Sequence, residues 1–67
     1  MPMIAIKTAR HTKEQKEKLI ADITRVASED LGMPQEAFYV LVEENEPENW
    51  GIGGKTLPQI LAEKNDG

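Results

Sequence analysis

The stretch from Thr12 to Pro34 limits the possible folds more than any other part of the chain. Thr12-Lys13-Glu14-Gln15 has the capping-box pattern. In that pattern a threonine hydroxyl takes the backbone N–H three residues on, and the side chain there returns to the threonine N–H. Leu19, Ile20, Ile23, Val26, Ala27 and Leu31 recur at the spacing of one helical face, while Lys13, Lys16, Lys18, Asp22, Arg25 and Glu29 fall largely outside it. Gly32 suits the left-handed conformation that ends helices, and Pro34 forbids continuation. The spacing predicts one helix from about Lys13 to Leu31. Met3–Thr8 before it reads as a strand, with Ile4, Ile6 and Thr8 on one face and Met3, Ala5 and Lys7 on the other. Phe38–Val42 after it, rich in aromatic and β-branched residues, reads as a second. A strand, a helix and a strand in this order should form a βαβ unit with parallel strands and a right-handed crossover.

One helix covers one face of a sheet, and both faces of the first strand carry apolar groups. A 67-residue chain, read as a single small domain over 1–67, buries only about 60% of the surface its unfolded form exposes. Disulfides, a metal or association usually supply the remaining stability. The chain has no cysteine and its only imidazole is His11, so neither disulfides nor a structural zinc site is expected. A second copy, in a symmetric dimer or a higher closed assembly, is the expected cover for the open face. The net charge of −4, with the acids concentrated from Glu43 to Glu48, argues against a nucleic-acid partner. No apolar run approaches the roughly 20 residues of a membrane span, and no signal peptide is visible. The expectation is a cytoplasmic protein without a membrane partner.

The remaining segments are shorter. Pro34–Ala37 reads as a turn or one helical turn, and Glu43–Asn49, with Pro47, as a solvated loop. Trp50-Gly51-Ile52-Gly53-Gly54 reads as a tight turn where backbone passes close to something. It lacks the spacing of either phosphate-binding glycine motif. Thr56-Leu57-Pro58-Gln59 repeats the capping pattern and predicts a short helix through about Lys64, with Asn65-Asp66-Gly67 frayed.

Pro2 has two readings: a proline at the start of a strand, outside any hydrogen-bond ladder, or a catalytic amine. Cells trim an initiator methionine when the next residue is small, and removal of Met1 would leave Pro2 as a free secondary amine. An α-amino group titrates at roughly 7.7–8.0, and burial or a nearby cation lowers that value toward neutrality. The pyrrolidine ring holds the nitrogen rigidly, which suits a general base. With Met1 in place the nitrogen is an amide without basicity.

Pro2, Glu14-Gln15-Lys16 in the first helical turn, and Asn49-Trp50-Gly51-Ile52-Gly53-Gly54 lie at the spacings of small tautomerases. From Pro2 to about Leu61 the chain resembles the 4-oxalocrotonate tautomerase family. The resemblance implies an α+β fold: a single βαβ unit with parallel strands plus a C-terminal hairpin, completed into a four-stranded sheet by dimerisation. It implies a homo-oligomer, a dimer or a hexamer built as a trimer of dimers, with active sites at subunit boundaries. It further implies a cofactor-free isomerase that moves a proton between keto and enol forms of a small carboxylate or keto-enol substrate. Pro2 would be the catalytic base and then acid. Arg10 or His11 would fill the position of the family's early arginine. Arg10 is the better chemical choice, because its planar fork binds a carboxylate bidentately at any pH. Trp50 would form the hairpin's aromatic wall, with Ile52 lining the same pocket. Tyr39 stands where the family has a second arginine. A phenol can donate one hydrogen bond but brings no charge, so a dicarboxylate fits this chain less well than a monocarboxylate. Two alternatives differ in chemistry: hydration or hydrolytic dehalogenation of a 3-haloacrylate, with Glu43 or Glu44 activating water, and a non-catalytic oligomeric binding domain.

Overall fold

The computed structural model describes residues 1–66; the fraying expected at Gly67 lies outside them. Strand β1 (Met3–Thr8), helix α1 (Lys13–Leu31) and strand β2 (Tyr39–Glu44) form the βαβ unit. β1 and β2 pair in parallel, from Met3 opposite Tyr39 to Thr8 opposite Glu44. α1 starts and stops where the sequence predicts. Gln15 N–H donates to Thr12 Oγ1 at 3.1 Å and Thr12 N–H to Gln15 Oε1 at 2.9 Å, completing the capping box. Gly32, at φ 65°, closes the C-terminus with its N–H on Ser28 O. A side chain at that φ is strained.

The second strand is displaced from the expected Phe38–Val42. Phe38 ends a 3-10 turn over Gln35–Ala37, and pairing begins at Tyr39, whose N–H donates to Pro2 O at 3.1 Å. At the other end Glu43 and Glu44 belong to β2, because β1 continues to Lys7 and Thr8 and offers them partners. A second 3-10 turn, Pro47–Asn49, leads into the antiparallel hairpin of β3 (Gly51–Ile52) and β4 (Lys55–Thr56). Gly53 and Gly54 make its turn at φ 62° and 88°, a conformation that glycine adopts without steric cost. Helix α2 (Leu57–Asp66) follows directly, capped reciprocally by Thr56 and Gln59. It runs two residues past the expected Lys64, so the backbone of Asn65 and Asp66 is helical.

The chain is long for its size, 49 × 24 × 17 Å, because α2 rests on the hairpin and the Pro47–Asn49 turn. Among the described residues none is buried. Ile4, Ile6, Val40 and Val42, on the α1 side of the sheet, are only half-buried. The other face is open: Met3, Tyr39 and Leu41 are 63%, 56% and 50% exposed. Isolated chains seldom expose contiguous apolar patches of this kind. No helix among the described residues is long and apolar enough to cross a membrane.

Candidate active site

The parallel sheet has two ends, and the candidate residues divide between them. Pro2 and Tyr39 sit at the N-terminal end. Pro2 is half-exposed, and by strand alternation its ring falls on the Ile4 side, whereas Tyr39 points to the open face. Arg10, His11 and Trp50 gather at the C-terminal end, six or more residues along β1 or its parallel partner. At the rise of a parallel strand this places Pro2 ~20 Å from Arg10 within one chain. No single chain brings them together.

The C-terminal end is dense in charge. Arg10 pairs with Glu46, and this contact raises the guanidinium's already high pKa. Glu44 is gripped twice: Lys16 Nζ donates to one carboxylate oxygen at 2.8 Å and the backbone N–H of His11 to the other at 2.8 Å. The Lys16 hydrogen bond, then that of the His11 backbone, holds the Glu44 carboxyl below its ordinary range. Because the folded value is depressed, this link is complete at neutral pH and is lost only as pH falls through it. Lys7 lies 4.0 Å from Glu43, both exposed, a pair of little energetic weight. The His11 ring folds back, with Nε2 2.9 Å from Thr8 Oγ1. Trp50 is half-buried, and its Nε1–H donates to Asn45 O at 3.1 Å, while Asn45 N–H donates to Thr8 O at 2.9 Å. Ile52, on β3, is 64% exposed.

A cavity of about 240 Å³ opens between the first turns of α1 and the sheet, lined by Ile6, Thr8, His11, Gln15, Lys16, Leu19 and Val42. It is an apolar slot with its polar groups at the C-terminal rim. His11 lines it and Arg10, paired with Glu46, does not.

Lys16 and Glu46 were not among the sequence-derived candidates, and Glu44 was considered only as a water activator. The signal was present in the register. Lys7 lies in β1, Arg10 follows it and Lys16 lies early in α1, while Glu43 and Glu44 end β2 and Glu46 follows it, so the parallel pairing brings these cations and acids to one end of the sheet. Glu44, with both oxygens engaged, is poorly placed to activate water.

Three comparisons bear on this arrangement. The sequence profile of the Tautomerase family, described as tautomerase enzyme, matches residues 2–59. The protein named probable tautomerase K2 of Dickeya dadantii is 36% identical over 61 residues, 88% of this chain and 91% of that protein. Among solved structures, TomN, a 4-oxalocrotonate tautomerase homologue in the tomaymycin biosynthetic pathway, superposes with a TM-score of 0.87 at 34% identity, over 91% of this chain and 95% of its own. A structure solved to analyse trans-3-chloroacrylic acid dehalogenase activity superposes with a TM-score of 0.76 at 38% identity, over 85% of this chain and all of that one.

Proposed function

The chain belongs to the 4-oxalocrotonate tautomerase family, and we propose that it interconverts the keto and enol forms of an unsaturated 2-hydroxy or 2-keto acid, with Pro2 as the proton carrier. Removal of Met1 frees the Pro2 amine. The amine takes a proton from the enol or from the carbon beside the carbonyl and returns it elsewhere on the conjugated system. Arg10 of a second chain binds the substrate carboxylate. Trp50 and Ile52 of that same second chain wall the site from water. A nearby cation lowers the pKa of the amine and stabilises the enolate, one arrangement serving both purposes. No cofactor takes part.

The observation that carries this reading is the division of the candidate residues between opposite ends of one sheet. A two-fold axis normal to the sheet reverses strand direction, so it sets the Pro2 end of one chain against the Arg10 end of its mate. The resulting four-stranded sheet still has α1 on one side only. Met3, Tyr39 and Leu41 stay open in such a dimer, which favours further assembly to a trimer of dimers. The absence of any buried residue among those described supports association as the source of the core.

Arg10→Ala is expected to raise KM for a carboxylate substrate about tenfold or more, since a charged hydrogen bond contributes roughly 1.5–3 kcal/mol. The check is steady-state kinetics on phenylenolpyruvate. An unchanged KM for Arg10→Ala, with the rise appearing in His11→Ala, would assign the carboxylate to His11, the residue that lines the cavity.

The dehalogenase neighbour keeps a second reading open. Hydration of a 3-haloacrylate requires a protonated Pro2 and a carboxylate free to activate water. Glu44 is engaged by Lys16 and His11, which leaves Glu43 for that role. Titration of the Pro2 amine separates the two reactions. A pKa near 6–7 fits a base, and one of about 9 or above fits an acid.

A further inference from the structure

We infer that Glu46 is a specificity-determining residue: as the internal counter-ion of Arg10 it reserves the carboxylate subsite for substrates with a single negative charge. The inference rests on the reading that Arg10 receives the substrate carboxylate.

Each cation at the C-terminal end of the sheet already faces an acid of the same chain. Lys7 faces Glu43, Lys16 holds Glu44, and Arg10 holds Glu46. The three pairs cancel in charge. Glu48, which follows within the Pro47–Asn49 turn, adds one more negative charge to this end. A substrate carboxylate therefore meets a guanidinium that is engaged, not free. It binds by displacing the Glu46 carboxylate, which swings out into water. Glu46 sits just before a 3-10 turn and its side chain is half-exposed, so the displacement requires no repacking.

Displacement leaves Arg10 neutralised by the substrate and Glu46 unpaired nearby. For a monoanion the exchange is one carboxylate for another. A second carboxylate on the substrate enters a region that now carries net negative charge. The dianion is rejected by the protein's own acids as well as by the lack of a second cation. Glu44 also acts on Arg10 through its charge, but both its oxygens are held by Lys16 and the His11 N–H, so it is not the group that a substrate carboxylate displaces.

The test uses two acids of equal length that undergo no turnover, hexanoate and adipate, titrated against the full-length Met1-free protein and followed by calorimetry or NMR shifts. Neither reacts, so this readout stands even if Pro2 proves to have no chemical role. The wild type is expected to bind hexanoate at least as well as adipate. Glu46→Gln should move the ratio of affinities toward adipate by about fivefold or more, the weight of one unit charge some 8 Å away in a partly wet site. Glu46→Asp should keep the wild-type ratio. In the Arg10→Ala background both acids should bind weakly, with either Glu or Gln at position 46. A ratio unchanged by Glu46→Gln would overturn the inference, as would hexanoate binding undiminished by Arg10→Ala, or a wild type that already prefers adipate.

Discussion

Pro2→Ala should lower kcat/KM for a keto-enol acid by ~100-fold or more, the lower range of what a positioned general base contributes, with the oligomer intact by sedimentation. After Met1 removal the variant still has an amine, but a primary one that turns freely about its Cα bond. What it loses is the fixed direction of the nitrogen lone pair. Protein that retains Met1 should fall further, to the level of the uncatalysed reaction, because its Pro2 nitrogen is an amide. Intact-mass measurement on each preparation shows which form is present. Turnover in Pro2→Ala equal to wild type would remove the proline from the mechanism and favour a binding domain. The position is otherwise undemanding: Pro2 lies ahead of β1, half-exposed, and contributes only its carbonyl to the sheet, through Tyr39 N–H. Alanine offers the same carbonyl, so fold and assembly should survive.

Leu41→Glu is expected to have the opposite profile, abolishing assembly first and activity as a consequence. Leu41 lies mid-way along β2, opposite Ala5, on the face that also carries Met3 and Tyr39. In a single chain it is half-exposed, and a glutamate there would cost little. Under the proposed assembly that face would be covered, and an unpaired carboxylate taken out of water costs on the order of several kcal/mol. Two or more such sites act together in any symmetric assembly. Sedimentation should show small species, and activity should be lost even though Pro2 and Arg10 are untouched. A fully assembled Leu41→Glu protein would mean that the open face is not an interface.

Local rules read the secondary structure well because its signals are covalently adjacent. The Thr12–Gln15 and Thr56–Gln59 caps, Gly32 before Pro34, and Gly53-Gly54 in the hairpin each act over a few residues. The end of β2 was harder to read, since Glu43 and Glu44 look like loop until β1 is known to extend to Thr8. The candidate site was legible as a set of residue types and not as a place. Pro2, Arg10 and Trp50 could be named from the chain, but their separation follows from strand length and parallel direction. The pairing of Arg10 with Glu46 is set by two loops remote in sequence, and nothing local to either residue announces it. Which chain would supply Arg10 to the proposed site lies beyond local sequence altogether, because it depends on contacts between copies.

The most direct test of a site shared between chains is to mix two damaged proteins. Pro2→Ala and Arg10→Ala are unfolded together, refolded in equal amounts and assayed at substrate concentrations below KM. If each site takes Pro2 from one chain and Arg10 from another, random assembly leaves about one quarter of the sites with both native residues. Activity should then rise to about a quarter of the wild-type value, well above the mean of the two parents. A mixture that stays at that mean would place Pro2 and Arg10 of the same chain in one site, and would contradict the account.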